Sequence, residues 1–582
     1  MTDMKYRFSE IVAIFSFLLI WCSEAYCQTY QDVYNLDFSR VENDYVAKWH
    51  NCRYIGIGTL VPHIGASLCE IDGRKCLKLN LPNNDPFLDL GVFSSIVLPE
   101  RLKGNMVVSL GYKCQNIERA VMTVYAADPE SGTVYTDSAE LNCNEKFART
   151  SISLDASKIR KLDVRIRAEG KEDRHLLYMP FSYLLFLNNL EIKCGGRLIN
   201  DAEAVRIPEM DMKILNKSLP VELSGKDGFD GMNVLDADVL GIGFGMFEDS
   251  SLPVAVAEIL KRQIADGGCR AVVAELSVVE GLYLNRYVSG DERFTISMID
   301  KFRNDTVFLN LMKWIKDFNS VREDKVHILG LNFPVGQQTS NRMYGDSLLN
   351  SGVLNSITFL QSVGMSAESQ EMDSLISILT DEMRADYDVL YRDGAAYIAS
   401  NWDKFDDVMG RMDTRMVQYF LAKACNEPRN NFFDDWNPYS KDSLQYVFFR
   451  DVVRTLIPES SPIVFLGCLS TLHHSEAVNP WNRSLGCRLR EEYGKRYACL
   501  GIISDRPRKG ENEYVSPENS LDALCRWAHS PYLYVDCRKL GGLVYVRSDS
   551  YFINSGGYFE GVHEFYDLIC PKSFMDGMLI VK

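Results

Sequence analysis

Short runs of alternating apolar and polar residues fill the first third of the chain. The clearest runs cover residues 104–114, 119–128, 133–141 and 161–169, and turn residues such as Pro129-Glu-Ser-Gly132 separate them. Alternation with a period of two is typical of strands with one buried face. Many short strands with few helical stretches predict an all-β sandwich domain over residues 28–197.

A different pattern begins after a polar segment at residues 198–234, which we interpret as a linker. Beyond it, continuous apolar runs alternate with helical patterns, which predicts an α/β domain around a mainly parallel sheet over residues 235–582. The predicted strands are 236–245, 270–276, 326–331, 463–468, 497–503 and 532–536.

Helices are predicted between these strands, and one long helical segment is predicted apart from them. The first helix is expected to start at a Ser251 cap, with Pro253 in its first turn, and to end at Gly267-Gly268. A mostly helical insertion at about 340–440 is expected to form a lid over the sheet. The other predicted helices cover residues 308–318, 484–494 and 520–528.

The first residues have the pattern of a secretory signal peptide. Lys5 and Arg7 precede an apolar run at residues 11–21, which is shorter than the roughly 20 residues of a membrane-spanning helix. We predict cleavage after residue 27 and an exported protein, periplasmic or extracellular, with no transmembrane segment once mature. Lipoprotein processing at Cys22 is the less favoured alternative, because bulky Trp21 precedes it.

The amino-acid composition excludes several classes of protein but does not indicate a reaction. Hydrophobic residues make up 46% of the 582 residues and charged residues 24%, which excludes a disordered, collagenous or multi-span membrane chain. The formal net charge is −16 and no basic cluster occurs, so nucleic acid is not an expected partner. The 16 cysteines include no C-x-x-C pair, so no metal site is predicted, and Met246 interrupts the glycine pattern that a dinucleotide cofactor would need.

Several segments of the α/β half together match one known family. They are GGCRAVVAELSVVEGLYLNRYVSGD (267–291), LMKWIKDFNSVREDKVHILGLNF (311–333), PIVFLGC (462–468), SLGCRLREEYGKRYACLGII (484–503), SLDALCRWAHSPYLYVDCR (520–538) and FYDLICPKS (565–573). In this order they resemble the erythromycin esterase family. The resemblance implies a metal-independent hydrolase that opens macrolide lactones, with a histidine as general base supported by carboxylates and further histidines.

The sequence departs from that family where the family does its chemistry. Phe244 stands in the place of the family's Glu in its G-E-x-T-H-G turn, and Phe247 stands in the place of its His. In the later W-A-H-N-x-H segment, Cys468 and Thr471 replace the two histidines. Glu275 matches the acid of the family's L-E-A strand end. The resemblance therefore implies that the scaffold is kept while most of the groups that move protons are missing.

The remaining candidates for catalysis each have a structural alternative. Glu275 is either a catalytic carboxylate at a strand end or a buried acid paired with Arg286 or Lys261. His473 and His474 follow the missing family histidines by two and three residues, so a shifted loop would present one of them; otherwise they are solvated loop residues. Cys468 is either a nucleophile or a small buried side chain.

Three functions follow from these alternatives. The preferred one is a catalytically impaired member of the family that binds a small-molecule ligand or a partner in a cleft lined by Phe244 and Phe247. The second is an active hydrolase of esters or lactones that uses Glu275 with His473 or His474. The third is a carbohydrate-binding or surface-attachment protein, because residues 35–49 resemble the start of carbohydrate-binding-like jelly-roll modules.

Overall fold

The computed structural model describes two compact units, one within residues 34–128 and 134–199 and the other within residues 129–133 and 221–581. The residues that it describes are 34–39, 41–42, 45–46, 49–51, 65–81, 90–98, 102–143, 145–170, 183–199, 221–223, 229, 232–244, 253–296, 305–332, 364, 395–424, 441–478, 480, 483–504, 521, 531–547 and 566–581.

The first unit is a sandwich of antiparallel strands. One sheet has the order β10-β7-β12-β5-β4, with β13 paired to β12, and the other has the order β3-β6-β11-β8-β9. The strands are β1 Val41–Glu42, β2 Tyr45–Val46, β3 His50–Asn51, β4 Gly65–Ile71, β5 Arg74–Leu81, β6 Leu90–Val97, β7 Asn105–Gln115, β8 Ile117–Asp128, β9 Thr133–Leu141, β10 Ala148–Asp155, β11 Lys161–Gly170, β12 Tyr183–Cys194 and β13 Arg197–Leu198.

The alternation in the sequence places one side of most long strands in the core between the sheets, whereas β9 is largely exposed. In β11, Leu162, Val164 and Ile166 are fully buried and belong to this core, as do Val108 and Leu110 of β7. The four strands predicted from period-two patterns are confirmed as β7, β8, β9 and β11, each within two residues of the predicted ends.

The second unit is built on an eight-stranded mixed sheet. Its order is β14-β20-β23-β19-β15-β18-β16-β17; the six strands from β23 to β17 run parallel, and β20 and β14 are antiparallel to their neighbours. The strands of this unit, including the hairpin β21–β22, are β14 Val221–Leu223, β15 Val239–Phe244, β16 Ala271–Ser277, β17 His327–Asn332, β18 Ile463–Cys468, β19 Tyr497–Ser504, β20 Tyr532–Asp536, β21 Val544–Arg547, β22 Tyr566–Ile569 and β23 Gly577–Val581.

Helices cover both faces of this sheet, which is why its central strands are apolar on both sides. They are α1 Val254–Ala265, α2 Val278–Val288, α3 Thr306–Ser320, α4 Trp402–Met409, α5 Arg411–Ala424, α6 Lys441–Phe448, α7 Arg454–Leu456, α8 Leu469–Leu472, α9 Leu485–Tyr493 and α10 Pro571–Phe574, with a π-helical segment at Phe449–Val453. Residues of α1 and α3 pack on one face, here called face A, and residues of α5, α8 and α9 pack on the other, face B, while α2 contributes residues to both cores.

Most of the predicted α/β elements are confirmed, with two adjustments. Pro253 is the N-cap of α1 and not a residue of its first turn, because its extended backbone precedes the first helical residue. Part of the predicted insertion, residues 395–424, is helical, and Phe405, Met409 and Met416 are buried in the core on face B. The rest of that insertion lies largely outside the described residues, as do the leader, Ser251 and nearly all of the helix predicted at 520–528.

Candidate functional site

Glu275 lies near the carboxyl end of β16, where an α/β sheet normally carries its site. Its Oε2 atom accepts a hydrogen bond from the main-chain N–H of Cys468 at 2.7 Å, and its Oε1 atom accepts one from the Thr471 hydroxyl at 3.4 Å. Cys468 ends the adjacent strand β18, and Thr471 lies in α8, which starts one residue later. The carboxylate therefore ties the end of one strand to the beginning of a short helix.

A glycine makes room for this contact. A Cβ atom at Gly467 would lie 2.8 Å from Glu275 Oε2, closer than real Cβ atoms approach an oxygen. Gly467 thus allows the carboxylate to lie against the backbone of β18. Glu275 is partly buried and contacts neither of the bases predicted for it: Arg286 pairs with Asp413 at 2.7 Å, and Lys261 pairs with Glu258 at 2.9 Å. Its predicted ion pair is replaced by these hydrogen bonds.

The strand register places Phe244 and Glu275 on opposite faces of the sheet. Phe244 follows Leu240 and Ile242 on the face A side of β15, and it packs, partly buried, against that core. Val273, two residues before Glu275, belongs to the core on face B. Phe247 lies outside the described residues. A cleft lined jointly by Phe244 and Phe247 therefore stays a prediction, and Phe244 does not contribute an apolar wall to the face that carries Glu275.

Both histidines of the 470s loop are buried rather than solvated, which corrects the solvated alternative. His473 has no exposed surface; its ring stacks on Phe574 with centroids 4.8 Å apart, and its Nδ1 accepts the Ser475 N–H at 3.2 Å. His474 exposes 8% of its side chain, and its Nε2 lies 3.4 Å from Asp576 Oδ2. Burial lowers the pKa of His474, and Asp576 only partly offsets this effect.

Asp576 is the centre of a second polar cluster, here called the Asp576 cluster. Its Oδ2 accepts the main-chain N–H of Cys499 at 2.9 Å and a hydrogen bond from the Arg490 guanidinium. Burial opposes ionisation, yet the hydrogen bond from His474 and the charges of His474 and Arg490 hold the pKa of Asp576 below its ordinary value. Asp576 directly precedes β23, and Cys499 lies near the start of the parallel strand β19, so this cluster is at the amino side of the sheet.

Strand geometry separates the Asp576 cluster from Glu275. Cys468 is level with Ile502 through β15, so the N–H of Cys499 lies two strands away and three residues toward the amino side. With strands about 4.8 Å apart and about 3.3 Å per residue, the two nitrogens are about 14 Å apart. His474 Nε2 lies 3.4 Å from Asp576 Oδ2, which also accepts the Cys499 N–H, so its described partner is Asp576. The pairing of Glu275 with His473 or His474 stays a prediction.

A third polar group, which the sequence did not reveal, links α2, α5 and β17. The Asp413 carboxylate forms an ion pair with Arg286 Nε at 2.7 Å and accepts a hydrogen bond from Asn285 Nδ2 at 3.1 Å. The Oδ1 atom of Asn285 in turn lies 3.1 Å from His327 Nδ1. Burial raises the pKa of Asp413 to about 6, although Arg286 and Asn285 oppose this shift. Burial, with a smaller effect of Lys325, lowers the pKa of His327 to about 4. No sequence spacing joins these residues, because they come from three separate elements.

Neither a metal site nor a membrane span appears in the part of the chain that the structure describes. Within those residues, no group of three or more His, Cys, Asp or Glu side chains could hold a metal ion. None of the helices described there is long and apolar enough to cross a membrane. The predicted site residues that the structure describes at the carboxyl edge are Phe244, Cys468, Thr471 and Glu275.

Comparison with known proteins identifies similar folds at low identity. No family model and no curated protein matches the sequence. Among solved structures, a Bacillus cereus protein is 17% identical with a TM-score of 0.44, over 64% of this chain and 98% of its own. An erythromycin esterase variant in its open conformation is 12% identical with a TM-score of 0.35, over 61% of this chain and 93% of its own.

The sandwich side also has structural neighbours. A carbohydrate-binding module in complex with β-1,4-galactotriose is 9% identical with a TM-score of 0.19, over 29% of this chain and 94% of the module. The chain is thus similar in structure to an erythromycin esterase and, more weakly, to carbohydrate-binding modules, while membership of the esterase family stays a prediction.

Proposed function

We propose that this protein binds a small organic ligand at the carboxyl edge of its α/β sheet without hydrolysing it. The observation that carries the proposal is the engagement of Glu275 by the Cys468 N–H and the Thr471 hydroxyl, with His474 held elsewhere by Asp576. These contacts give the Glu275 carboxylate a structural role, because they tie the end of β18 to the start of α8.

The chemistry of ester hydrolysis explains why this arrangement matters. A general base must reach the attacking water, and an acid must protonate the leaving oxygen. Loss of a single such group typically costs a factor of about 10² to 10⁴ in rate. Phe244, Cys468 and Thr471 occupy three of the positions at which the resembled family carries Glu or His, and His473 and His474 are both buried, with His474 beside Asp576.

The proposal includes a compartment and a ligand class. The basic and apolar pattern of residues 1–27 supports export, so the ligand would be met outside the cytoplasm. The resemblance to erythromycin esterases favours lactones and other esters as ligands that are bound intact. Carbohydrate binding by the sandwich unit stays a separate prediction, which a glycan array with the full chain would test.

Hydrolysis assays with a matched control test the proposal. We expect the purified chain to leave 4-nitrophenyl acetate and a macrolide lactone unchanged above the background rate. Glu275→Gln and Glu323→Gln, the latter at an exposed position, should behave alike. Calorimetric titration with the same intact lactone should give saturable binding. Hydrolysis that Glu275→Gln abolishes and Glu323→Gln preserves would overturn the proposal, and so would the absence of binding across a panel of lactones and esters.

A further inference from the structure

Two cysteines of the sandwich unit come together although they belong to different sheets. The Sγ atoms of Cys114 and Cys143 are 2.9 Å apart. Cys114 lies in β7 of one sheet, and Cys143 follows β9 of the other by two residues. Non-bonded heavy atoms have their best separation at about 3.5–4.0 Å even for carbon, so this approach is close for two separate thiols.

The surrounding contacts hold both residues in this position. The Tyr112 hydroxyl accepts the N–H of Asn142 at 2.7 Å, which ties the residue before Cys143 to the strand that carries Cys114. Tyr112 and Cys114 are two residues apart in β7 and share its inner face, where both are buried. Cys143 packs against the same core. The approach of the two sulfurs therefore occurs within a packed part of the sandwich and not at a loose chain end.

We propose that Cys114 and Cys143 form a disulfide that links the two sheets. Its formation removes one proton and one electron from each thiol and makes one S–S bond. A disulfide-bearing thiol-exchange protein, or oxidised glutathione, accepts the two electrons. One cysteine thiolate attacks its disulfide and releases the first thiolate of the oxidant; the other cysteine thiolate then attacks the mixed disulfide at the cysteine sulfur and releases the second, so the oxidant leaves as two thiols. The predicted export leader would place the chain in a compartment where such oxidants persist.

Another cysteine pair competes for the same role. Cys69 and Cys76 are register partners in β4 and β5, and a bridge between them is the pairing that sequence proximity suggests. Such a bridge would join neighbouring strands of one sheet, which are already hydrogen-bonded. The Cys114–Cys143 bridge would join strands of two different sheets, and it would close a loop of about 30 residues in the unfolded chain.

Peptide mapping tests the proposal on the full-length protein. The chain is equilibrated in oxidised and reduced glutathione, remaining thiols are alkylated in denaturant, and the protein is digested with trypsin without reduction. Cleavage after Lys113, Arg119 and Lys146 gives the peptides 114–119 and 120–146, each with one cysteine. We expect them to appear as one linked species that reductant separates. Full alkylation of both cysteines, or linkage of either to another cysteine, would overturn the proposal.

Thermal unfolding gives a second, independent measurement. Reductant should lower the Tm of the sandwich transition by about 5–15 °C in the wild-type chain. The variant Cys114→Ser/Cys143→Ser should have lost this response, whereas Cys194→Ser, at a half-buried position of the same unit, should keep it. A wild-type Tm that reductant does not change would contradict the bridge, and the peptide map decides the matter even where the double variant does not fold.

Discussion

Glu275 and Asp576, two carboxylates of the α/β unit, differ in what surrounds them. Glu275, near the carboxyl end of β16, accepts hydrogen bonds from one main-chain N–H and one hydroxyl. Asp576, at the amino side of β23, is surrounded by Arg490, His474 and the N–H of Cys499. The carboxylate with an arginine and a histidine beside it therefore lies at the amino side of the sheet, whereas Glu275 lies at the carboxyl side, where α/β sheets carry their sites.

Polar clustering alone therefore does not locate a functional site. A carboxylate with an arginine and a histidine beside it resembles a catalytic site when only its contacts are considered. Here, however, His474 is almost fully buried, and Asp576 also bonds to the backbone of the next strand. Such a cluster connects β19, β23, α9 and the 470s loop, so its removal should affect folding more than any reaction.

The largest expected effect is the loss of Asp576. Asp576→Ala should lower the free energy of unfolding by about 3–5 kcal/mol, because it leaves a partly buried Arg490 without its partner and the buried Cys499 N–H without its acceptor. Urea titration measures the loss. The matched control Asp407→Ala, at an exposed position on α4, should stay within about 0.5 kcal/mol of wild type. A small effect for Asp576→Ala would remove the structural interpretation of this cluster.

An intermediate effect is expected from pH, through another histidine at the amino side. His327 begins β17, and burial lowers its pKa to about 4. The His327 imidazole therefore takes up a proton near pH 6.5 in the unfolded chain but stays neutral at that pH in the folded chain. The resulting contribution to the free energy of unfolding is complete above that pH. As the pH falls toward 4, up to about 3 kcal/mol of it is lost. Urea midpoints from pH 7 to 5 should fall more steeply for wild type than for His327→Gln.

The pKa shift of Asp413 changes stability with pH in the opposite direction to that of His327. A histidine variant is therefore needed to separate the two contributions. Its raised pKa, about 6, means that the folded chain takes up a proton below that pH more readily than the unfolded chain does, which favours folding as pH falls. The difference between wild type and His327→Gln isolates the histidine from this contribution. Parallel pH profiles for the two proteins would show that His327 is not held neutral by the fold.

The smallest expected effect is at the carboxyl edge. Glu275→Ala leaves the Cys468 N–H without its acceptor and should cost about 1–3 kcal/mol, whereas Glu275→Gln keeps an acceptor oxygen and should cost less than about 1 kcal/mol. Urea titration of both variants separates the two cases. An equal loss for Ala and Gln would mean that the charge of Glu275, and not its acceptor oxygen, stabilises this edge.

Several features of the fold followed from the sequence because they depend on local periodicity. The runs at 104–114 and 161–169 alternate with a period of two, and both are strands with one face in the sandwich core. The continuous apolar run IVFLGC at 463–468 is a central strand buried on both faces. In such segments the position in the repeat decides which side chains face the core, so the pattern alone predicts the element.

The site could be predicted only in part, because its contacts join residues that are distant along the chain. The sequence singled out Glu275, Cys468 and Thr471, and the structure brings these three together across 193 and 196 residues. It also singled out His473 and His474 but left open where their loop would lie. Because that loop runs back toward the amino side of the sheet, it delivers the histidines to Phe574 and Asp576.

The order and type of the elements followed from the sequence alone. Tertiary structure alone decided which polar groups meet. The partners of Glu275, the burial of His474 against Asp576, the chain from Arg286 through Asp413 to His327, and the approach of Cys114 to Cys143 all join separate elements. Local propensity fixes a strand or a helix from its neighbours in sequence, whereas such contacts depend on strand order and register, which only the packed chain sets.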